Sequence, residues 1–188
     1  MARAGLTGER LAQAGAELAD EVGFDQVTVS ALARQFGVQV ASLYSHVRSS
    51  ADLKARIATV ALTELADQAA TAVAGRAGRS ALFALADVYR DYARKHPGRY
   101  AATRFVPGSP TPEQVEAGRR HSELVRAVLR GYDLDEPAQT DAVRLLGSTI
   151  HGYIQLESAG TFAFTEPSSD DSWPRIIDAL DTLLRSWS

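Results

Sequence analysis

The side chains best placed to do chemistry in this chain lie between residues 39 and 46: Gln39, Ser42, Tyr44, Ser45 and His46. Gln and Ser can hydrogen-bond base edges or phosphates, and Tyr and His can reach phosphate oxygens. Catalytic patterns are missing by comparison: the sequence holds no HExxH, no His paired with a carboxylate at helical spacing and no Gly-rich phosphate loop. It has no Cys, which excludes a thiolate nucleophile, a Cys-based zinc site and a disulfide framework. His151 is the most enzyme-like residue, but Glu157 lies six positions on and faces elsewhere on a helix. The sequence therefore points away from an enzyme and names no cofactor or metal. On spacing alone, the 39–46 set is either a nucleic-acid-reading face or the solvated side of a helical hairpin.

Two short helices must position that set. Val29, Leu32 and Phe36 recur at helical spacing, Val38 follows, and Leu43 and Val47 are four apart. Gly37 between them suits the left-handed conformation that closes a helix. This is a helix-turn-helix pattern, whose short turn forces a steep crossing and leaves the second helix free to enter a major groove. A preceding helix capped by Thr7 carries Leu11, Ala14, Leu18 and Val22 on one face and ends at Gly23. The net charge of −3 does not advertise a nucleic-acid binder. Locally, however, residues 28–56 hold four cations (Arg34, Arg48, Lys54, Arg56) against one anion (Asp52), a charge of +3, whereas residues 1–27 hold two against five, −3. So modest a basic patch implies that affinity rests on two copies.

Residues 28–53 resemble the N-terminal domain of TetR-family transcriptional regulators. Thr28, Val29, Leu32, Ala33, Gly37, Val38, Leu43, Tyr44, His46 and Leu53 stand in the order and spacing of that signature. Three positions depart from it: Gln39 stands for the Ser that caps the recognition helix, Val47 for Phe, and Ser50 for a Lys near phosphate. Arg48 or Lys54 would compensate for the last. The resemblance implies phosphate contacts from Thr28, Tyr44 and His46, and base-edge contacts from Gln39, Val40, Ser42 and Ser45 on a double-stranded DNA operator.

Beyond this unit only helical periodicity appears, which predicts an all-α protein of about nine helices. The expected helices are Ala51–Val73 (a lever leaving the reading unit, opened by Ser49 and Asp52), Ser80–Lys95, a short element Arg99–Val106, Glu113–Tyr132, Pro137–Ala159 and Trp173–Ser186. His96-Pro97-Gly98 is read as a stop, and Thr165–Ser172 as a loop. The eighth helix carries two apolar stripes: Val143, Leu146, Ile150 and Ile154 on one, Leu145, Thr149, Gly152 and Leu156 on another. It is therefore covered on two sides. Mid-helix Gly152 costs about 1 kcal/mol relative to Ala, tolerable where backbones approach closely.

His151-Gly152, Leu156-Glu157 and Gly160 resemble the TetR C-terminal class named for a Trp-His-Gly motif, with Ser148 near the position of the Trp. Lys95–Phe105 resembles the segment preceding the pocket in that family. The resemblance implies a homodimer whose last two long helices pair. Its interface would comprise Val143, Leu146, Ile150 and Ile154 with Trp173, Ile177, Leu180 and Leu184. It also implies a small, largely apolar effector among Phe83, Tyr89, Tyr92, Tyr100, Phe105, His151, Tyr153 and Glu157. The division expected is 1–50 for DNA reading and 51–188 for ligand binding and dimerisation.

At 45% hydrophobic and 23% charged the composition suits a globular protein with a real core. No apolar run reaches about 18 residues, so no membrane span is expected, and the first residues lack a signal peptide's apolar centre. A cytoplasmic location is the default. The competing reading is a helical interaction module that has lost DNA binding, motivated by the near-neutral charge, Gln39 and Ser50.

Overall fold

The computed structural model describes residues 5–187; the first four residues of the expected reading domain, Arg3 among them, and Ser188 lie outside the described residues. Among those described there are nine α-helices and no strand: α1 Gly8–Val22, α2 Val29–Phe36, α3 Val40–Leu43, α4 Ser50–Val73, α5 Gly78–Lys95, α6 Pro97–Ala102, α7 Pro112–Leu129, α8 Glu136–Ser158 and α9 Ser169–Arg185, with a 3-10 turn at Phe24–Gln26. They form two compact units. One comprises the residues up to Glu64 with Lys95–Arg119, the other Leu65–Arg94 with the residues from Arg120 onward.

In the first unit, hydroxyl caps start the short helices. Thr7 Oγ1 accepts from the Arg10 amide at 3.1 Å and Thr28 Oγ1 from the Ala31 amide at 3.1 Å. Gly37 takes φ 64°, ψ 34°, and the amides of Gly37 and Val38 reach back to the carbonyls of Arg34 and Ala33. That paired closure satisfies two end carbonyls of α2 and turns Val38 back onto the core. Leu11, Leu32, Leu43, Leu53 and Ile57 are fully buried together, each worth roughly 1.5–3 kcal/mol. Helix α5 ends at Lys95, where His96-Pro97-Gly98 is read as a stop, and Pro97 also opens α6 at its first turn, where its missing N–H is harmless. Gly98 lets α6 lie on α1: a Cβ there would stand 1.8 Å from the Ala19 carbonyl oxygen. The contact is pinned by Asp20, which accepts from the Arg99 amide at 2.9 Å and meets His96 Nδ1 at 3.0 Å.

In the second unit the end of α7 crosses the start of α5 glycine to glycine, and a Cβ on Gly131 would fall 2.4 Å from the Gly78 amide nitrogen. Buried polar groups fasten α9. Trp173 Nε1 donates to Asp87 at 2.8 Å, and the Tyr132 hydroxyl donates to Asp181 at 2.6 Å. The first turn of α9 takes in part of the expected Thr165–Ser172 loop. Ser168 caps it, and Asp170 and Asp171 occupy the turn, where a helix N-terminus favours negative charge.

Candidate functional site

The reading unit keeps its apolar back inside and its polar face out. Leu43 and Val47 are buried, while Gln39, Ser42, Tyr44 and Ser45 are exposed, Tyr44 at 50%. His46 and Val40 are half-buried. As expected of Gln, Gln39 makes no side-chain cap. The α-helical turn is correspondingly short, and only the amides of His46 and Val47 continue it, both to the Leu43 carbonyl. The Ser45 hydroxyl donates to the Ser42 carbonyl at 2.7 Å, which commits its proton within the turn. Thr28 Oγ1 is held at the start of α2 by its cap, with its own proton still available to donate.

Two expected phosphate-binding cations are drawn elsewhere. The Lys54 ammonium sits 3.6 Å from the Asp25 carboxylate and 5.1 Å from the Phe24 ring centroid. The Arg48 guanidinium lies 3.3 Å from Asp52, which also meets Arg56 at 3.3 Å. Burial alone would raise the pKa of Asp52, but the Arg48 amide and the two guanidiniums outweigh it and hold the carboxyl below its usual value. Asp52 thereby fixes the start of α4, and Ser49 Oγ accepts from its amide at 3.0 Å. A cleft of about 550 Å3 beside these groups is lined by Thr7, Arg10, Asp52, Arg56, Thr111 and Gln114 among others. Several of its polar groups are already engaged (Thr7 caps α1, Asp52 pairs with Arg56, and Thr111 and Gln114 cap α7 reciprocally), and Glu9 and Glu113 bring further carboxylates to its wall. An apolar ligand finds a better match in the second unit.

There, a cavity of about 200 Å3 opens between α5, α7 and α8. Leu85 and Tyr89 come from α5, and His121, Ser122 and Val125 from α7. On α8, Val143, Leu146, Gly147, Ile150 and His151 complete it. The Tyr89 hydroxyl is 2.8 Å from His121 Nε2, and the Tyr89 ring lies 5.8 Å from that of His151. Burial pushes the His121 pKa down, toward the neutral imidazole. Of the expected effector residues, Tyr89 and His151 line this cavity; the other six do not. Tyr100 and Phe105 belong to the first unit, where Phe105 packs edge-on to Phe24 at 5.7 Å. Tyr92 is fully buried, Phe83 lies under the Arg79 guanidinium, and the Tyr153 hydroxyl donates to the Ser169 carbonyl at 2.7 Å. His121 is a residue the sequence reading missed. Its signal was a His on the apolar stripe of α7, four residues after Ala117 and four before Val125.

Glu157 serves an ion cluster instead. It accepts from Arg90 Nε at 3.0 Å, from the Arg90 terminal nitrogen and from Arg94 at 2.9 Å, and Asp170 meets both arginines. Burial would raise the Glu157 pKa, yet the hydrogen bonds from Arg90, Ser169 and Arg94 bring it down to about 2. Arg90 also lies over the Trp173 ring.

The residues expected at the dimer face lie largely inside the chain on both α8 and α9. Trp173, Ile177, Leu180 and Leu184 are buried within a single chain, as are Leu146, Ile150 and Ile154 on α8, and Val143 lines the cavity. Side chains already enclosed by their own chain have nothing to offer a partner. What faces out is the neighbouring stripe: Leu156 is 47% exposed, Leu183 40% and Trp187 38%, with Leu145, Thr149, Gly152, Ile176 and Ala179 at helical steps between them. A Cβ on Gly152 would meet nothing within 4 Å, so no contact inside the chain requires that glycine. Among the described residues no group of His, Cys, Asp or Glu could hold a metal, and no helix is long and apolar enough to cross a membrane.

Comparison with known proteins places both parts. Residues 11–57 match the model for bacterial regulatory proteins of the tetR family, and residues 82–180 that for the Tetracyclin repressor-like C-terminal domain. An uncharacterized HTH-type transcriptional regulator of Mycobacterium tuberculosis is 36% identical over 156 residues, covering 82% of this chain and 72% of that protein. The uncharacterized HTH-type transcriptional regulator YobS of Bacillus subtilis is 33% identical over 165 residues, covering 85% and 83%. In fold, the chain is similar to ActR of Streptomyces coelicolor in complex with actinorhodin: TM-score 0.71, 19% identity, 97% of this chain and 98% of that one.

Proposed function

The chain belongs to the TetR family of transcriptional regulators, and from that premise we propose that it is a homodimeric repressor that binds a palindromic DNA operator and releases it when a small, largely apolar effector binds. The observation that carries the reading is the polar face of α3, with Gln39, Ser42 and Tyr44 exposed over the buried Leu43 and Val47. One such face makes too few contacts for a selective site, and a two-fold dimer presents two, one helical turn of DNA apart. The outward stripes of α8 and α9 are the dimer seam, with a second copy of this chain as occupant. DNA reading lies within residues 1–50, and ligand binding and dimerisation within 51–188.

The effector occupies the α5–α7–α8 cavity. It favours one of two dimer arrangements only by its difference in affinity for them. A ~100-fold difference, about 2.7 kcal/mol, suffices to vacate many operators. Helix α4, unbroken from Ser50 to Val73, supplies residues to both units and is the element through which we propose the change passes. His151-Gly152 and Gly160 support placing the body in the Trp-His-Gly class, and Ser148 counts against it. The protein acts in the cytoplasm, without cofactor or catalysis.

Fluorescence-anisotropy titrations across salt test the DNA face. Tyr44→Phe removes a phosphate contact, so it should weaken all sequences alike by about 1 kcal/mol. Gln39→Ala should change sequence preference instead. Unchanged affinity and preference in both variants would remove α3 from the interface.

A further inference from the structure

The cavity between α5, α7 and α8 combines apolar walls, three rings and one hydroxyl–imidazole pair, and we propose that it takes a neutral, single-ring aromatic alcohol, a phenol, whose hydroxyl meets Tyr89 and His121. This rests on the reading of that cavity as the effector site and gives it a chemical class.

Size sets the first limit. Cavities for drug-sized ligands run about 300–1,000 Å3, whereas this one holds about 200 Å3. An apolar cavity of roughly 150 Å3 accommodates benzene. One ring with a substituent therefore fits, and a fused polycycle does not.

Charge sets the second. No Asp, Glu, Lys or Arg lines the cavity, so an ionised ligand would lose its hydration with no carboxylate, ammonium or guanidinium to offset the loss. Arg90, the nearest arginine along α5, is committed to Glu157 and Asp170. Burial also favours neutral His121, so of the two imidazoles on the wall this one offers a carboxylate no counter-charge.

Polarity and shape set the third. The Tyr89 hydroxyl and His121 Nε2, 2.8 Å apart, form a donor–acceptor pair whose direction depends on the imidazole tautomer. A ligand hydroxyl both donates and accepts, so it complements either tautomer; a ketone only accepts. The Tyr89 ring has its centroid 5.4 Å from that of His121 and 5.8 Å from that of His151, with tilted planes. Tilted ring edges favour an aromatic guest over a saturated ring of equal volume.

Isothermal titration calorimetry of the full chain with phenol, benzoate, cyclohexanol and benzene tests this. Phenol should bind at least about tenfold more tightly than benzoate or cyclohexanol. Tyr89→Phe should weaken phenol by roughly two- to tenfold, the range of one hydrogen bond, and leave benzene unchanged. Gly147→Leu should abolish binding: Gly147 lines the cavity and a Cβ there meets nothing within 4 Å, so the new side chain enters open space. Urea denaturation of both variants checks that they fold. Benzoate or cyclohexanol binding as tightly as phenol would overturn the ligand class and keep the cavity as the site. Phenol binding equally to a folded Gly147→Leu would overturn the site itself. No binding of any probe to wild type would overturn the class, leaving operator binding to be judged separately.

Discussion

Glu157 separates a structural account of the second unit from a ligand-binding one. Its carboxylate is 13% exposed and the Arg90 side chain facing it 7%. Glu157→Gln keeps the shape and removes the charge. Arg90 would then keep Asp170, at 2.9 Å, as its remaining carboxylate, which is 69% exposed and therefore well screened. Breaking a buried pair from one side costs about 3–5 kcal/mol, and because Asp170 remains, we expect a loss near the lower bound, about 3 kcal/mol. Replacing both partners with apolar residues, Glu157→Leu with Arg90→Met, removes the stranded charge and should cost clearly less than the two single changes combined.

The same cluster sets an acid limit. The Glu157 pKa lies at about 2 when folded against 4.5 unperturbed. Its contribution is therefore fully present above pH 4.5 and is lost as pH falls from there toward 2. Glu157→Gln should flatten that part of the stability profile. Urea denaturation at a series of pH values reads all three effects. A loss under about 0.5 kcal/mol in Glu157→Gln, well below the range for a broken buried pair, or strict additivity in the double variant, would refute the cluster as a fastener.

Gly98→Ala drives a methyl into the Ala19 backbone, 1.8 Å from its oxygen and 2.0 Å from its carbon. Neither atom can rotate away, so α6 must lift from α1, at the upper end of overpacking costs, about 3 kcal/mol; an unchanged denaturation midpoint would contradict that packing. Leu183→Arg places a charge on the outward stripe of α9. Sedimentation equilibrium should show monomers with no loss of helix content, whereas a persistent dimer would move the seam. Leu180→Arg, one turn face away, should instead unfold the second unit, because Leu180 is buried.

Local signals carried most of the fold. Thr7, Thr28 and Gly37 mark the boundaries of α1 and α2, because capping and left-handed closure depend only on near neighbours. Ser168 carries an equally local start signal for α9, masked by the loop-like composition of Thr165–Ser172, and Pro97 both follows the end of α5 and opens α6. The polar face at 39–45 was legible for the same reason: exposed Gln39, Ser42, Tyr44 and Ser45 are interspersed with buried Leu43 and Val47 within nine positions.

The body was less legible because the contacts of its cavity and ion cluster join residues distant in sequence. Tyr89 and His121 are 32 residues apart, and Arg90 and Glu157 are 67. Periodicity assigns each a helix face but not a partner. Thus Glu157 reads as a pocket carboxylate until Arg90 is found beside it. Likewise α9 presents two apolar stripes, and the spacing of Trp173, Ile177, Leu180 and Leu184 cannot say whether α5 or a second chain covers them. In the structure they face inward, and the thinner stripe of Ile176, Ala179 and Leu183 faces out.

The central claim is that this chain reads DNA as a two-fold dimer through α3. Selection from a random duplex library with the purified full chain, followed by sequencing of the bound pool, tests it most directly. We expect an inverted repeat with half-site centres about one helical turn (34–36 Å) apart, bound at least about 1,000-fold more tightly than unselected DNA and lost in Leu183→Arg. A pool with no enriched sequence, or a single unrepeated site bound equally well by Leu183→Arg, would contradict it.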